Sequence, residues 1–148
     1  IKTQTEWHEG DKSGSSESST QKRVFTLIET EKKWFYISHV ALTWPEAKQE
    51  CKHLGLELGS IENSSENEAI FGLGCSYDRK QDMHFHSKNS RWIGAYKIGE
   101  KRFYWDATGY PVTYTNWDKG EPNNMGGHQN CLHLLCINGK WDDMSCYR

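Results

Sequence analysis

The chain has 148 residues, enough for one domain that buries its own core without help from metal or disulfide. Its 18 Lys and Arg against 20 Asp and Glu leave a net charge of −2 with no basic face set apart, which argues against a nucleic-acid partner. No apolar run reaches the roughly 18 residues that a membrane span needs, and no secretory leader is visible, so Ile1 is taken as the start of a mature or trimmed chain.

Residues 1–22 carry the run SGSSESST and almost no aliphatic side chains. They bury too little apolar surface to offset the entropy of ordering and read as a flexible polar arm. The pattern changes at Arg23, where RVFTLIE and KKWFYIS, β-branched and aromatic runs divided by Thr30-Glu31, predict two short strands. Thr43 with Glu46 forms a capping box, and Pro45 is tolerated in a first helical turn. Trp44, Ala47, Cys51 and Leu54 then recur at helical spacing, so a helix over about 43–54 faces inward along that stripe and ends at Gly55. Ser65 with Glu68 predicts a second capping box and a shorter helix with Ala69, Ile70 and Leu73 inward.

Residues 74–89 are polar and mixed and read as a loop. Its His84-Phe85-His86 would set two imidazoles on one side of a strand, but no partner at defined spacing accompanies them, so they read as surface histidines rather than a zinc site. Asn63-Ser64-Ser65 is an N-glycosylation sequon of a kind that also arises often by chance. RWIGAY, FYWD and PVTYTNW, with turns at Gly99 and Thr108-Gly109, read as strands or extended segments in which Trp92, Trp105 and Trp117 belong to the core. CLHLLCI alternates as a strand, with Leu132, Leu134 and Cys136 on one face and Cys131, His133 and Leu135 on the other. Asn138-Gly139 turns the chain back as a hairpin, returning Trp141-Asp142-Asp143 to the loop that carries Glu121 and Asn123.

That loop and hairpin, residues 120–146, hold the chemistry. Ca²⁺ takes six to eight hard oxygen ligands, and Glu121, Asn123, Gln129, Asp142 and Asp143 offer oxygen from one stretch of chain. Five cysteines without a C-x-x-C fit an oxidising, extracellular compartment better than a zinc or redox motif. An enzyme using Asp142 and Asp143 with a nearby histidine as acid and base has no support from a nucleophile elbow, a phosphate loop or an HExxH, and the chain is not read as an enzyme.

The order E-P-N, x₅-Q-N-C, N-G-K-W-D-D and x₂-C resembles the long-loop region of C-type lectin carbohydrate-recognition domains, and W-I-G-A resembles the W-I-G-L signature of the same family. The resemblance covers roughly residues 23–148. It implies an α+β C-type lectin-like fold of two helices and small antiparallel sheets with a long calcium-binding loop. It also implies one Ca²⁺ held by Glu121, Asn123, Gln129, Asp142 and Asp143, with a cis peptide before Pro122. Of these, Glu121, Asn123, Gln129 and Asp142 would also contact the carbohydrate, two of whose vicinal hydroxyls complete the coordination. The partners so implied are glycans on cell or microbial surfaces, as in innate pathogen recognition by secreted lectins, with a protein partner or oligomer also open.

The same resemblance implies a Cys131–Cys146 disulfide and places Cys51 on the first helix, opposite a cysteine expected in a last strand beyond Arg148, which residues 23–148 would lack. Cys75 and Cys136 are additional. Pairing with each other is open to them, and connectivity among Cys51, Cys75 and Cys136 is not fixed by sequence. E-P-N implies mannose-type ligands, namely mannose, GlcNAc and fucose, whereas Q-P-D implies galactose. Gln129 and Asp142, however, exchange acid and amide relative to the family's usual Glu and Asn, so galactose is an alternative, as is a lectin-like protein-interaction domain without sugar binding. A gap-free alignment sets Lys97 and Lys101, with Asn124 and Asn130, where carboxylates of a second calcium site would stand, so a single ion is expected.

Overall fold

The computed structural model describes residues 25–76, 89–99 and 102–148. The predicted polar arm, the His84-Phe85-His86 stretch and Lys101 lie outside the described residues. The architecture is α+β: the described residues form two helices with a two-stranded and a four-stranded antiparallel sheet.

The first sheet pairs β1 (Phe25–Glu29) with β2 (Trp34–Ser38), from Phe25 opposite Ser38 to Glu29 opposite Trp34. Alternation buries Ile28, Phe35 and Ile37 and leaves Phe25, Leu27 and Trp34 outward. Helix α1 (Trp44–His53) starts at Thr43, with both halves of the capping box formed, and Gly55 follows it at φ 72°. Trp44 anchors α1 to the rest of the fold, because its indole N–H donates to the Ile93 carbonyl at 2.9 Å and its backbone N–H to that of Cys146 at 2.9 Å. Leu54, expected inward, is the exposed C-cap residue.

The second helix departs from its predicted start. Helix α2 (Ser64–Ala69) is capped by Asn63, whose Oδ1 accepts from the Glu66 N–H at 2.9 Å, and not by Ser65. The reason is tertiary. Starting at Asn63 turns Glu66 and Asn67 inward, where Glu66 pairs with Lys33 Nζ at 3.1 Å and accepts from the Glu62 N–H at 2.8 Å. A wider turn over Ile70–Gly74 continues the helix, burying Ile70 and leaving Leu73, predicted inward, 54% exposed.

The larger sheet has the order β4-β3-β5-β6, with β3 (Ser90–Ile98), β4 (Arg102–Trp105), β5 (Cys131–Leu135) and β6 (Trp141–Met144). The glycine of W-I-G-A is required by space. A Cβ on Gly94 would lie 2.5 Å from the Leu58 carbonyl oxygen, and the Gly94 N–H donates to the Gly59 carbonyl at 2.8 Å. The segment PVTYTNW is extended and joins the four-stranded sheet through isolated bridges at Pro111 and Trp117. The main core gathers Ile61, Ile93, Trp105, Leu132, Leu134 and Trp141, with Trp117 packed against it, while Trp92 borders a smaller cluster around Trp44 and Leu58.

Two disulfides close the structure. Cys131–Cys146 ties the start of β5 to the end of the hairpin, and Cys75–Cys136 ties the chain after α2 to the end of β5. Cys51 is a free thiol, half-buried against the smaller cluster, and burial pushes its titration up.

Candidate metal centre

The β5–β6 hairpin and the long loop before it are stitched together by backbone. Gly139 takes φ 73° in the turn, and β6 returns with Asp142 opposite His133 and Asp143 opposite Leu132. Trp141 donates its N–H to the Asn116 carbonyl at 2.7 Å and accepts from the Asp118 N–H at 2.8 Å; the Glu121 N–H then donates to the Asp118 carbonyl at 3.1 Å. These contacts carry Glu121 to the start of β6. The Glu121–Pro122 peptide is cis, as the resemblance implied.

The five oxygen-bearing residues singled out in the sequence are linked here, three by proximity and two by hydrogen bonds. Ligand-capable oxygens of Glu121, Asp142 and Asp143 lie within 4.8 Å of one another. Asp143 is fully buried, and its carboxylate accepts from the N–H groups of Asn123 at 3.1 Å and Asn124 at 2.8 Å. Glu121 accepts from the Asn123 N–H at 3.0 Å and from Asn123 Nδ2 at 2.8 Å. Asn123 Oδ1 and Gln129 Oε1 both accept from the Met125 N–H, at 2.8 and 2.9 Å.

Two residues contribute that sequence reasoning did not assign to the site. Asn124 adopts the left-handed conformation, φ 47°, and its Oδ1 accepts from the Gln129 N–H at 3.0 Å, which closes the loop between Asn123 and Gln129. His133, expected only as a strand residue, lies 3.2 Å from Asp142 through Nε2. Its signal was the hairpin register, but a two-residue turn at Asn138-Gly139 would put 133 opposite 144. The loop instead spans residues 136–139, closed by the Leu135 N–H on the Lys140 carbonyl at 2.8 Å, and this sets 133 opposite 142.

The electrostatics are those of crowded carboxylates. Desolvation, then the adjacent Asp143 and Asp142 carboxylates, push Glu121 up from 4.5 to about 7, against a smaller lowering by the Asn123 N–H. His133 moves down because burial disfavours its charged form, although Asp142 opposes that shift. The donor set fits a hard ion: it is all oxygen, and oxygens each about 2.4 Å from one Ca²⁺ lie at most about 5 Å apart, which the observed spacing satisfies. A cavity of about 680 Å³ lined by Leu42, Cys51, Trp92, His133 and Asp142 lies behind Asp142, and Glu121, Asn123, Gln129 and Asp143 do not line it.

Comparison with known proteins gives a consistent result. The family model for the lectin C-type domain matches residues 40–148. Ladderlectin of Oncorhynchus mykiss is 30% identical over 125 residues, which cover 84% of this chain and 57% of ladderlectin, so the chain spans a little over half of that relative. Among solved structures, the carbohydrate-recognition domain of the mouse scavenger receptor C-type lectin aligns with a TM-score of 0.67 and 28% identity, covering 82% of this chain and 88% of that one. The carbohydrate-recognition domain of cow CD23, solved in the presence of a GlcNAc2Man3 oligosaccharide, aligns with a TM-score of 0.56 and 26% identity, covering 81% and 88%.

Proposed function

The chain belongs to the C-type lectin domain family, a generally calcium-dependent, non-enzymatic group of carbohydrate binders, and from that premise we propose that residues 23–148 form an extracellular lectin domain that holds one Ca²⁺ and binds mannose-type sugars. The observation that supports it is the convergence of Glu121, Asp142 and Asp143 with the side-chain oxygens of Asn123 and Gln129 at one loop–hairpin junction. Bound there, Ca²⁺ supplies coordination positions for two vicinal sugar hydroxyls. The protein reads the same hydroxyls by hydrogen bonds: carboxylate oxygens of Glu121 and Asp142 accept, while the amide groups of Asn123 and Gln129 donate. Two disulfides agree with an oxidising compartment. Glycans on cell or microbial surfaces are the partners this reading proposes, and innate recognition is the setting.

A specific observation favours a second reading. Position 129 carries an amide and position 142 an acid, the reverse of the family's usual pair, so galactose is the alternative ligand. Retention on immobilised mannose and galactose with calcium and with EDTA tests the proposal. Calcium-dependent retention on mannose is the expected result. Preference for galactose selects the second reading, and absence of calcium-dependent retention on any sugar of a glycan array overturns both in favour of a protein-interaction domain.

A further inference from the structure

His133 is not one of the expected site residues, yet it stands directly behind one of them. Register sets it opposite Asp142 on β6 and opposite Trp92 on β3. Its Nε2 lies 3.2 Å from Asp142 Oδ2, and its side chain is 8% exposed against 21% for that of Asp142. The imidazole is held from its other side as well. The Trp92 ring packs 5.6 Å away at 36°, and the Trp92 indole N–H is itself fixed on the Leu42 carbonyl at 2.7 Å. Leu42, Trp92, His133 and Asp142 thus form one row of contacts that crosses three strands and ends at the carboxylate cluster.

An ionised carboxylate accepts and does not donate, so the hydrogen of the His133–Asp142 pair belongs to Nε2. We propose that His133 is a positioning residue that holds Oδ2 of Asp142 and commits the remaining oxygen to the cation, an inference that rests on the calcium-lectin reading above. Hydrogen bonds behind a ligating carboxylate fix its orientation and tune affinity. The pair also accounts for the acid at position 142. An amide has a single oxygen, and an inward donor that captures it turns the NH₂ group toward the cation. A carboxylate has an oxygen for each side. Position 142 is acceptor-only because it is a carboxylate; His133 fixes which of its two oxygens faces the cation.

The test measures calcium affinity by titration calorimetry and the thermal midpoint in EDTA for the wild type, His133→Phe and His133→Gln. It adds the imidazole tautomer of the wild type from long-range ¹H–¹⁵N NMR in EDTA. His133→Phe keeps a ring against Trp92 and removes the donor, so calcium affinity is expected to fall about tenfold or more while the midpoint in EDTA is retained. His133→Gln restores an N–H donor and most of the lost affinity, and the wild type shows the hydrogen on Nε2. Wild-type affinity in His133→Phe overturns the proposal. So does an affinity loss matched by a lower midpoint in EDTA with no recovery in His133→Gln, and so does a hydrogen on Nδ1. If His133→Phe does not fold, the tautomer and the His133→Gln affinity decide. A wild type that binds no calcium overturns the reading of the site and this inference with it, whereas a wild type that binds calcium beside an unaffected His133→Phe overturns this inference alone.

Discussion

The indole N–H of Trp141 donates to Asn67 Oδ1 at 2.7 Å, joining residues 74 positions apart that are both fully buried. Asn67 Nδ2 donates in turn to the Gly139 carbonyl at 3.0 Å, which Asn116 Nδ2 also reaches at 2.8 Å. One amide on α2 thereby fixes both the hairpin turn and the tryptophan that leads into Asp142 and Asp143.

Replacing that amide should cost stability through one identifiable group. In Asn67→Ala the Gly139 carbonyl keeps Asn116, but the Trp141 N–H is left in the core without an acceptor, so a loss of about 1–3 kcal/mol is expected, plus the cost of the small cavity. Urea unfolding in EDTA measures it. A loss below about 0.5 kcal/mol, the scale of surface substitutions, would mean that the buried pair contributes nothing net.

The pH dependence follows from Glu121. In the calcium-free fold this carboxyl holds its proton up to about pH 7, against 4.5 for the ordinary group. Between those values the folded state binds more protons than the unfolded one, so the contribution of Glu121 to stability is fully present below about 4.5 and is lost as the pH rises to about 7. Cation binding reverses the preference, because it favours the ionised carboxylate. Calcium affinity should therefore fall on acidification below about pH 7, with proton release on binding near pH 6. Calorimetry in buffers of different ionisation enthalpy measures that release, and affinity that is flat between about pH 5 and 8 would refute the assignment.

Sugar choice should respond to the exchanged pair. At position 129 the amide can donate, whereas at 142 the carboxylate only accepts, and one misplaced donor is worth about 1–3 kcal/mol, enough to reverse a modest preference. Competition between mannose and galactose is expected to shift further toward mannose in Gln129→Glu/Asp142→Asn, measured at calcium concentrations that saturate each protein. A ratio that does not move would show that E-P-N alone decides specificity.

One calcium per chain is the expected stoichiometry. By resemblance to the family, Lys97 would stand where a second site needs a carboxylate; its backbone N–H donates to the Asn130 carbonyl at 2.8 Å, and its ammonium lies 5.5 Å from the Phe103 ring centroid. A cation beside that ammonium is repelled. Calorimetric stoichiometry of two, or a calcium-soaked crystal with two well-occupied ions, would contradict this.

What the sequence determined by itself was local or periodic. The Thr43–Glu46 capping box marks the start of α1 because its two hydrogen bonds span three residues. The period-2 alternation of CLHLLCI set which side chains share a face, and Asn138-Gly139 marked the hairpin that returns Asp142 and Asp143 to Glu121. The register, however, is two residues from that of a two-residue turn, because residues 136–139 form the loop. Tertiary structure decided the remainder. Asn63 and Ser65 both offer a cap with an acid three residues on, and the choice of Asn63 accompanies the burial of Glu66 against Lys33, 33 residues earlier. Likewise the pairing of Cys75 with Cys136 and the setting of His133 between Trp92 and Asp142 depend on which strands become neighbours. Short-range patterns carry no information about contacts made 30 to 70 residues away, because those form only when the burial of the whole core has selected one register among several that are locally equivalent.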